Sequence, residues 1–138
     1  MCRKKIYFNE FNLLMGSGGI VYLPLVSGIL SACVKNDNRL NSKIEVMPFI
    51  FKPSNIVDIL KHYENPSVAA FSIAMWNENL SLEVAKNLRA LYPNIKIIFG
   101  GAQCPHNPTA YMNKHSFIDF CIRGEGEEAV SYTHLRAH

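Results

Sequence analysis

Several residue patterns that mark common functions are missing from this 138-residue chain. Its four cysteines, Cys2, Cys33, Cys104 and Cys121, are far apart, and no pair has the spacing of a zinc or iron–sulfur site. A Gly-Lys-Ser or Gly-Lys-Thr phosphate loop is absent, and no Ser/His/Asp set or nucleophile elbow can be assembled. The sequence therefore carries no recognisable catalytic apparatus of its own.

The chain also lacks a strong charge of either sign. Fourteen basic and eleven acidic residues leave a formal net charge of +3, without a basic cluster on a predicted face, which argues against nucleic acid as a partner. No apolar run is long enough to span a membrane. After the basic start, Asn9, Glu10 and Asn12 interrupt the apolar stretch that an export signal requires. We expect a cytoplasmic protein.

What the chain does contain is an alternation of strands and helices. Apolar and β-branched runs predict five strands, at residues 5–8, 43–51, 68–74, 95–99 and 117–122. Helical spacing of apolar residues predicts helices between them, the first with Leu25, Ile29 and Ala32 or Cys33 on one stripe. Because such an alternation requires right-handed crossovers, the fold class is α/β, a flavodoxin-like (Rossmann-like) doubly wound parallel five-stranded sheet with strand order 2-1-3-4-5.

Small residues follow two of these strands. Gly100, Gly101 and Ala102 come after the fourth strand, and glycines also follow the fifth. Ligands of open α/β sheets bind outside the carboxyl ends of the strands, where glycine permits close approach of the backbone. The simpler interpretation is a tight turn.

The end of the central strand offers a further candidate. The hydroxyl of Ser72 lies there, and Met75 and Trp76 follow as an apolar rim suited to a large flat ligand. The structural alternative is that Trp76 packs over the sheet edge and Asn77 caps the next helix.

Two other functions fit less well. A nicotinamide site would need a third glycine at position 21 after Gly16 and Gly18, and that residue is Val21. A phospho-receiver would need an aspartate after the third strand and a lysine after the fifth, where Ala74 and Arg123 stand. A regulatory flavodoxin-like domain that acts by protein contact stays open as the alternative.

Four segments taken together point to a known family. Residues 22–30, 70–77, 99–102 and 123–127 resemble the amino-terminal cobalamin (B12)-binding domain of B12-dependent radical SAM proteins. The resemblance covers residues 4–129, so we expect a cobalamin-binding-like domain at 1–129. Residues 130–138 resemble a translated sequencing-library adapter, and we expect this tail to be non-native.

The resemblance implies contacts with different parts of the cofactor. The residues concerned are Ser72, Gly100, Gly101 and Ala102 for the nucleotide tail, Met15, Gly16, Met75 and Trp76 for the corrin, and Glu125 and Gly126 for its amide rim.

The resemblance also implies the wider chemistry. Related domains carry Asp-x-His-x-x-Gly after the first strand, whereas no histidine lies between Asn9 and Gly19 here, so cobalamin is expected base-off without a protein histidine. In the family a following radical SAM domain binds a [4Fe-4S] cluster and S-adenosylmethionine through Cys-x-x-x-Cys-x-x-Cys, which is absent from this chain. We expect this fragment to bind cofactor without reacting, and its full-length parent to be a radical SAM enzyme that performs radical methylation or related chemistry.

Overall fold

The computed structural model describes residues 2–15 and 20–124. Its strands are β1 (Lys4–Asn9), β2 (Leu14–Met15), β3 (Ile20–Val21), β4 (Ile44–Val46), β5 (Val68–Ser72), β6 (Lys96–Gly100) and β7 (Phe120–Ile122). Its helices are α1 (Leu25–Asn36), α2 (Asn38–Asn41), α3 (Ile56–Leu60), α4 (Glu78–Leu91) and α5 (Pro108–Lys114).

The main sheet has five strands in the order β4-β1-β5-β6-β7, and every neighbouring pair is parallel. Counted along the chain without the short β2–β3 hairpin, this is the predicted order 2-1-3-4-5, and the prediction is confirmed. The central strand β5 is buried over four successive residues, as its unbroken apolar run indicates for a strand covered on both faces.

Alternate residues of the strands face two different layers. One side of the sheet, here called the closed face, carries Tyr7, Phe71 and Phe99 and is covered by α3, α4 and α5. The other side, here called the open face, carries Phe8 and Ile98 and is packed by α1 and α2. Helices on both faces make the sheet doubly wound.

The buried side of α1 differs from its apolar stripe. Leu25 is 70% exposed and Ile29 is 43% exposed, whereas Ser27, Ser31 and Val34 are buried. The helix forms where its apolar spacing predicted it, but that spacing does not mark the side of the helix that faces the core. Serines can face inward here because a buried carboxylate bonds to the first of them, as described below.

The second predicted strand is shorter than its sequence pattern. It forms a ladder only over β4, and the chain returns to the sheet at Ile50, whose N–H donates to the Phe8 carbonyl. Pro48 lies between these segments, and proline supplies no N–H to a ladder. The β2–β3 hairpin was not predicted, because two residues per strand are too few to show a period.

Among the residues described, no helix combines the length and apolar character needed to cross a membrane.

Candidate functional site

A cavity of about 260 Å³ opens on the open face at the carboxyl ends of the strands. It lies between the sheet and the amino-terminal half of α1. The residues around it are Phe8, Asn9, Val26, Ser27, Ile29, Leu30, Ala70, Phe71, Ser72, Ile98, Gly100, Gly101, Ile122 and Gly124.

The floor of the cavity is formed by small residues on two adjacent strands. Ser72 pairs with Gly100 across β5 and β6, and Gly100 pairs with Ile122 of β7. Ala70 shares the orientation of Ser72 because residues two apart on a strand point to the same face. Within the described part of the chain the Ser72 hydroxyl makes no side-chain hydrogen bond. A flat surface with one free hydroxyl results.

The fold requires glycine at only one of the two adjacent positions, Gly100 and Gly101. Gly101 has φ +107°, and a Cβ there would lie 2.7 Å from the carbonyl oxygen of Ile73. A Cβ on Gly100 would meet its nearest atom, the Ile122 carbonyl oxygen, at 3.7 Å, which is ordinary van der Waals contact. The backbone therefore explains Gly101, whereas Gly100 leaves space that the protein itself does not fill.

The wall of the cavity is the first part of α1, which Glu10 fixes in place. The buried Glu10 carboxylate accepts hydrogen bonds from the Ser27 backbone N–H at 2.9 Å and from the Ser27 hydroxyl at 3.0 Å. The N-cap residue, Pro24, offers no capping side chain. A negative group at a helix N-terminus satisfies its free N–H donors and interacts favourably with the helix dipole. Glu10 thus holds the wall against the end of β1.

Asn77 organises the loop after β5. Its Nδ2 donates to the carbonyl oxygens of Phe11 and Ser72, each at 3.0 Å, and its Oδ1 accepts from the Ala74 N–H at 2.8 Å. Asn77 lies at the N-cap of α4, as expected, but its side chain does not cap the helix. It ties the end of β5 to the segment after β1 instead.

The same carbonyl anchors Trp76. Its indole Nε1 donates to the Phe11 carbonyl at 3.3 Å, while 54% of the residue is exposed. Met75 beside it is 81% exposed. The two side chains form an apolar surface at the edge of the sheet, with the tryptophan held in orientation by its hydrogen bond.

Three of the residues predicted for the site meet in the cavity: Ser72, Gly100 and Gly101. Met75, Trp76 and Ala102 lie in loops at the same edge of the sheet but do not line the cavity. The remaining predictions fall on Met15, in β2, and on Gly16, Glu125 and Gly126, which lie outside the described residues together with 130–138.

Sequence reasoning missed the wall of the cavity. Val26, Ile29 and Leu30 line it, and none of the three was among the residues predicted for the site. A signal was present, because Ser27 and Ser31 recur at helical spacing between these apolar residues and compete with them for the buried side.

The thiols stand apart from the cavity. Cys104 is buried among the residues of the closed face, and Cys121 packs against the same cluster. Burial raises the pKa of the Cys104 thiol to about 12, with the Cys121 thiol adding to the effect. Across residues 2–15 and 20–124, no group of three or more His, Cys, Asp or Glu side chains is arranged to hold a metal ion.

Comparison with known families identifies the class of this domain. The model of the B12 binding domain matches residues 27–132, which is well over half of the chain. The chain belongs to this family of cobalamin-binding domains, which confirms the predicted family and implies cobalamin as the cofactor.

Two curated relatives share this domain. The chain is 29% identical over 126 residues to the cobalamin-dependent radical SAM methyltransferase TokK of Streptomyces tokunonensis. It is 26% identical over 126 residues to the 2-(S-pantetheinyl)-carbapenam-3-carboxylate methyltransferase of Streptantibioticus cattleyicolor. Each alignment covers 91% of this chain and 18% of the relative, so the chain spans less than a fifth of the length of either protein.

Proposed function

We propose that the nucleotide tail of cobalamin lies in the cavity on the open face, with the corrin over the carboxyl edge of the sheet. The observation that carries this proposal is the space at Gly100. A Cβ would fit there in ordinary contact, so the fold does not require glycine at this position, and the space is left for a ligand. The apolar lining and the flat floor fit the planar, largely apolar base at the end of that tail.

The residues around the cavity have separate roles in this proposal. The free hydroxyl of Ser72 donates a hydrogen bond to an oxygen of the tail, and the glycines at 100 and 101 let the tail approach the backbone closely. Glu10 positions α1 as the wall through its bonds to Ser27. When bound, cobalamin supplies a cobalt centre that carries a methyl group or changes its redox state.

The edge of the sheet supplies the surface for the corrin. Met75 and Trp76 present exposed apolar side chains there, and the bond from Trp76 to the Phe11 carbonyl fixes the indole. Apolar and aromatic surface is what a large flat ligand buries when it binds. We assign the corrin to these two residues together with Met15 and Gly16, and its amide rim to Glu125 and Gly126. Ala102 keeps its predicted contact with the nucleotide tail.

We further propose that the cofactor is bound base-off and without a histidine from this chain. The segment after β1 contains no histidine. Among its described residues, Glu10 bonds to Ser27, and the Asn12 Nδ2 donates to the Tyr22 carbonyl at 3.1 Å. Within the described residues, His106 lies in a carboxyl-edge loop, after β6 rather than β1.

The relatives support a proposal about the longer protein. Both are methyltransferases, and one of them is a cobalamin-dependent radical SAM enzyme. We propose that this domain serves such an enzyme, in which a separate radical SAM domain binds the [4Fe-4S] cluster and S-adenosylmethionine and performs radical methylation. The present chain contributes cofactor binding to that reaction.

Titration with hydroxocobalamin tests the location of the site. Gly100→Val places a β-branched side chain on the cavity floor, where a Cβ meets no closer contact than 3.7 Å, so the fold should be retained. We expect affinity to fall by roughly tenfold or more, since a filled cavity must exclude the tail. Gly28→Ala is the matched control, because a Cβ on Gly28 has nothing within 4 Å and the residue does not line the cavity.

Equal affinity in the valine variant, the control and the original chain would contradict the location of the tail in this cavity.

The visible spectrum of the bound cofactor tests the proposal that cobalamin is bound base-off, because displacement of the lower base from cobalt shifts the absorption bands. The base-off spectrum should be the same in the original chain and in His106→Ala. A base-on spectrum, or one that changes in the His106 variant, would contradict the absence of a histidine ligand.

A further inference from the structure

We propose that the cavity selects the lower base of the corrinoid, accepting dimethylbenzimidazole and disfavouring adenine. The inference rests on the proposed function, since it assumes that the nucleotide tail enters this cavity. It concerns which member of the corrinoid class the domain takes, and it follows from the hydrogen-bonding capacity of the lining.

Only three side chains among the lining residues are polar, and two of them are already engaged. The Asn9 Nδ2 donates to the Ala70 carbonyl at 3.1 Å, and its Oδ1 accepts a hydrogen bond from Tyr63, which packs on the closed face. The Ser27 hydroxyl donates to Glu10. Within the described residues, Ser72 is left as the lining side chain whose donor hydrogen has no partner.

This lining suits one base better than the other. Dimethylbenzimidazole presents a fused ring with two methyl groups, whereas adenine carries an amino group and several ring nitrogens that are hydrogen-bonded in water. A buried polar group without a partner loses its hydration and gains nothing in return. A single serine hydroxyl has one donor hydrogen, so it cannot satisfy the amino group and all the ring nitrogens of adenine.

The walls strengthen the same preference. Val26, Leu30 and Ile98 contribute branched aliphatic side chains around the floor of Ala70 and Ser72. Methyl groups on the ligand bury apolar surface against such side chains, which is favourable in proportion to the area removed from water. The methyl groups of dimethylbenzimidazole therefore increase affinity for the cavity, whereas the amino group and extra ring nitrogens of adenine add little.

Three corrinoids test this on the full chain by equilibrium dialysis. They are hydroxocobalamin, its analogue with adenine as the lower base, and cobinamide, which lacks the nucleotide tail. We expect cobalamin to bind most tightly and the adenine analogue to bind roughly tenfold to a hundredfold more weakly, the range by which apolar pockets discriminate polar analogues. Cobinamide should also bind more weakly than cobalamin, because it leaves the cavity empty.

The outcomes separate this inference from the proposed function. Equal binding of the two complete corrinoids, with weaker cobinamide, would overturn base selection while leaving the tail in the cavity. Equal binding of all three, or binding of none, would overturn both.

A variant of the floor provides an independent readout. Ala70→Ser adds a hydroxyl beside Ser72 and should bring the affinities of the two corrinoids closer together by giving adenine a partner. Ala110→Ser, at an exposed position of α5, is the matched control and should leave the ratio unchanged. If Ala70→Ser disturbs folding, Val26→Thr makes the same test at a partly exposed position of the wall with nearly unchanged shape. An unchanged ratio in a folded variant that still binds cobalamin contradicts the inference.

Discussion

The two faces of one sheet differ in how completely they are filled. On the closed face, Phe71 and Phe99 pack in a tilted arrangement with ring centroids 5.1 Å apart beneath the helices α3 to α5. On the open face, the neighbouring positions hold Ala70, Ser72 and Gly100, and a cavity lies above them. Residues that alternate along the same two strands thus build a packed core on one side and a binding surface on the other.

This difference shows how a parallel sheet can provide stability and a binding site with the same strands. Period-two alternation lets each face have its own side-chain sizes without a change in the backbone ladder. Stability should therefore depend mainly on the closed face, and affinity for the cofactor mainly on the small residues of the open face. The predictions below test that division, from the largest expected effect to the smallest.

The strongest test replaces neighbours on β6 that point in opposite directions. Phe99→Ala removes a fully buried ring from the closed face and should lower the free energy of unfolding by about 3–5 kcal/mol. Ile98→Ala, beside the existing cavity, should cost about 2 kcal/mol, the lower end of the range for such truncations. Denaturant titration followed by circular dichroism measures both. A larger loss in Ile98→Ala would reverse the division between the faces.

Replacement of the paired glycines with alanine should separate a backbone requirement from a ligand requirement. Gly101→Ala forces a side chain into a positive-φ conformation and against the Ile73 carbonyl, so we expect a loss of roughly 1–3 kcal/mol in stability. Gly100→Ala adds a methyl group in ordinary contact and should leave the stability almost unchanged. Thermal unfolding curves compare the two variants. Equal destabilisation would mean that Gly100 is also required by the fold.

Asn77 tests how the edge of the sheet is held between the two faces. Asn77→Ala leaves the carbonyls of Phe11 and Ser72 without this donor and should cost about 1–3 kcal/mol. Asn79→Ala, at an exposed position of α4, is the control. Because Trp76 is the only tryptophan, its fluorescence should also report a loosened loop. Unchanged stability and emission would remove Asn77 from this role.

The smallest effect concerns pH and a thiol of the closed face. Burial raises the pKa of Cys104 to about 12, so the folded state keeps the thiol proton at a pH where the unfolded state releases it. The contribution of Cys104 to the free energy of unfolding is therefore fully present below the unfolded thiol pKa of about 8.5, and it falls as the pH rises above that value. Cys104→Ala should reduce that fall, whereas Cys2→Ala, at an exposed position, should not. Denaturant titrations at several pH values measure this fall. The same dependence of unfolding free energy on pH in the original chain and in both variants would contradict the role of Cys104.

Much of the fold could be predicted from residues close together in the sequence. The run through β5 indicated a central strand, and helical spacing located α1 and α4, because these patterns are long enough to show their periods. The β2–β3 hairpin and the buried side of α1 could not be predicted, since one is too short and the other depends on Glu10, distant in sequence from most of the helix.

For the site, the residue types pointed to the correct edge of the sheet but not to its contents. Ser72 and Gly100 were found because small and polar residues directly follow apolar strands. Val26, Ile29 and Leu30 were not, because an apolar helical stripe has the same appearance whether it meets a core or a ligand.

The sequence by itself determined the order of elements, the parallel sheet and the resemblance to cobalamin-binding domains, because periodicity and short motifs are local properties of the chain. The tertiary structure alone decided which small residues serve the backbone and which leave a cavity. Gly100 and Gly101 are adjacent and chemically identical, but they differ in backbone conformation and in what lies across from them. A Cβ on Gly100 would make ordinary contact with Ile122, whereas Gly101 has a positive φ and faces the carbonyl of Ile73. That distinction arises when distant strands and loops are brought together, so it has no counterpart in the sequence.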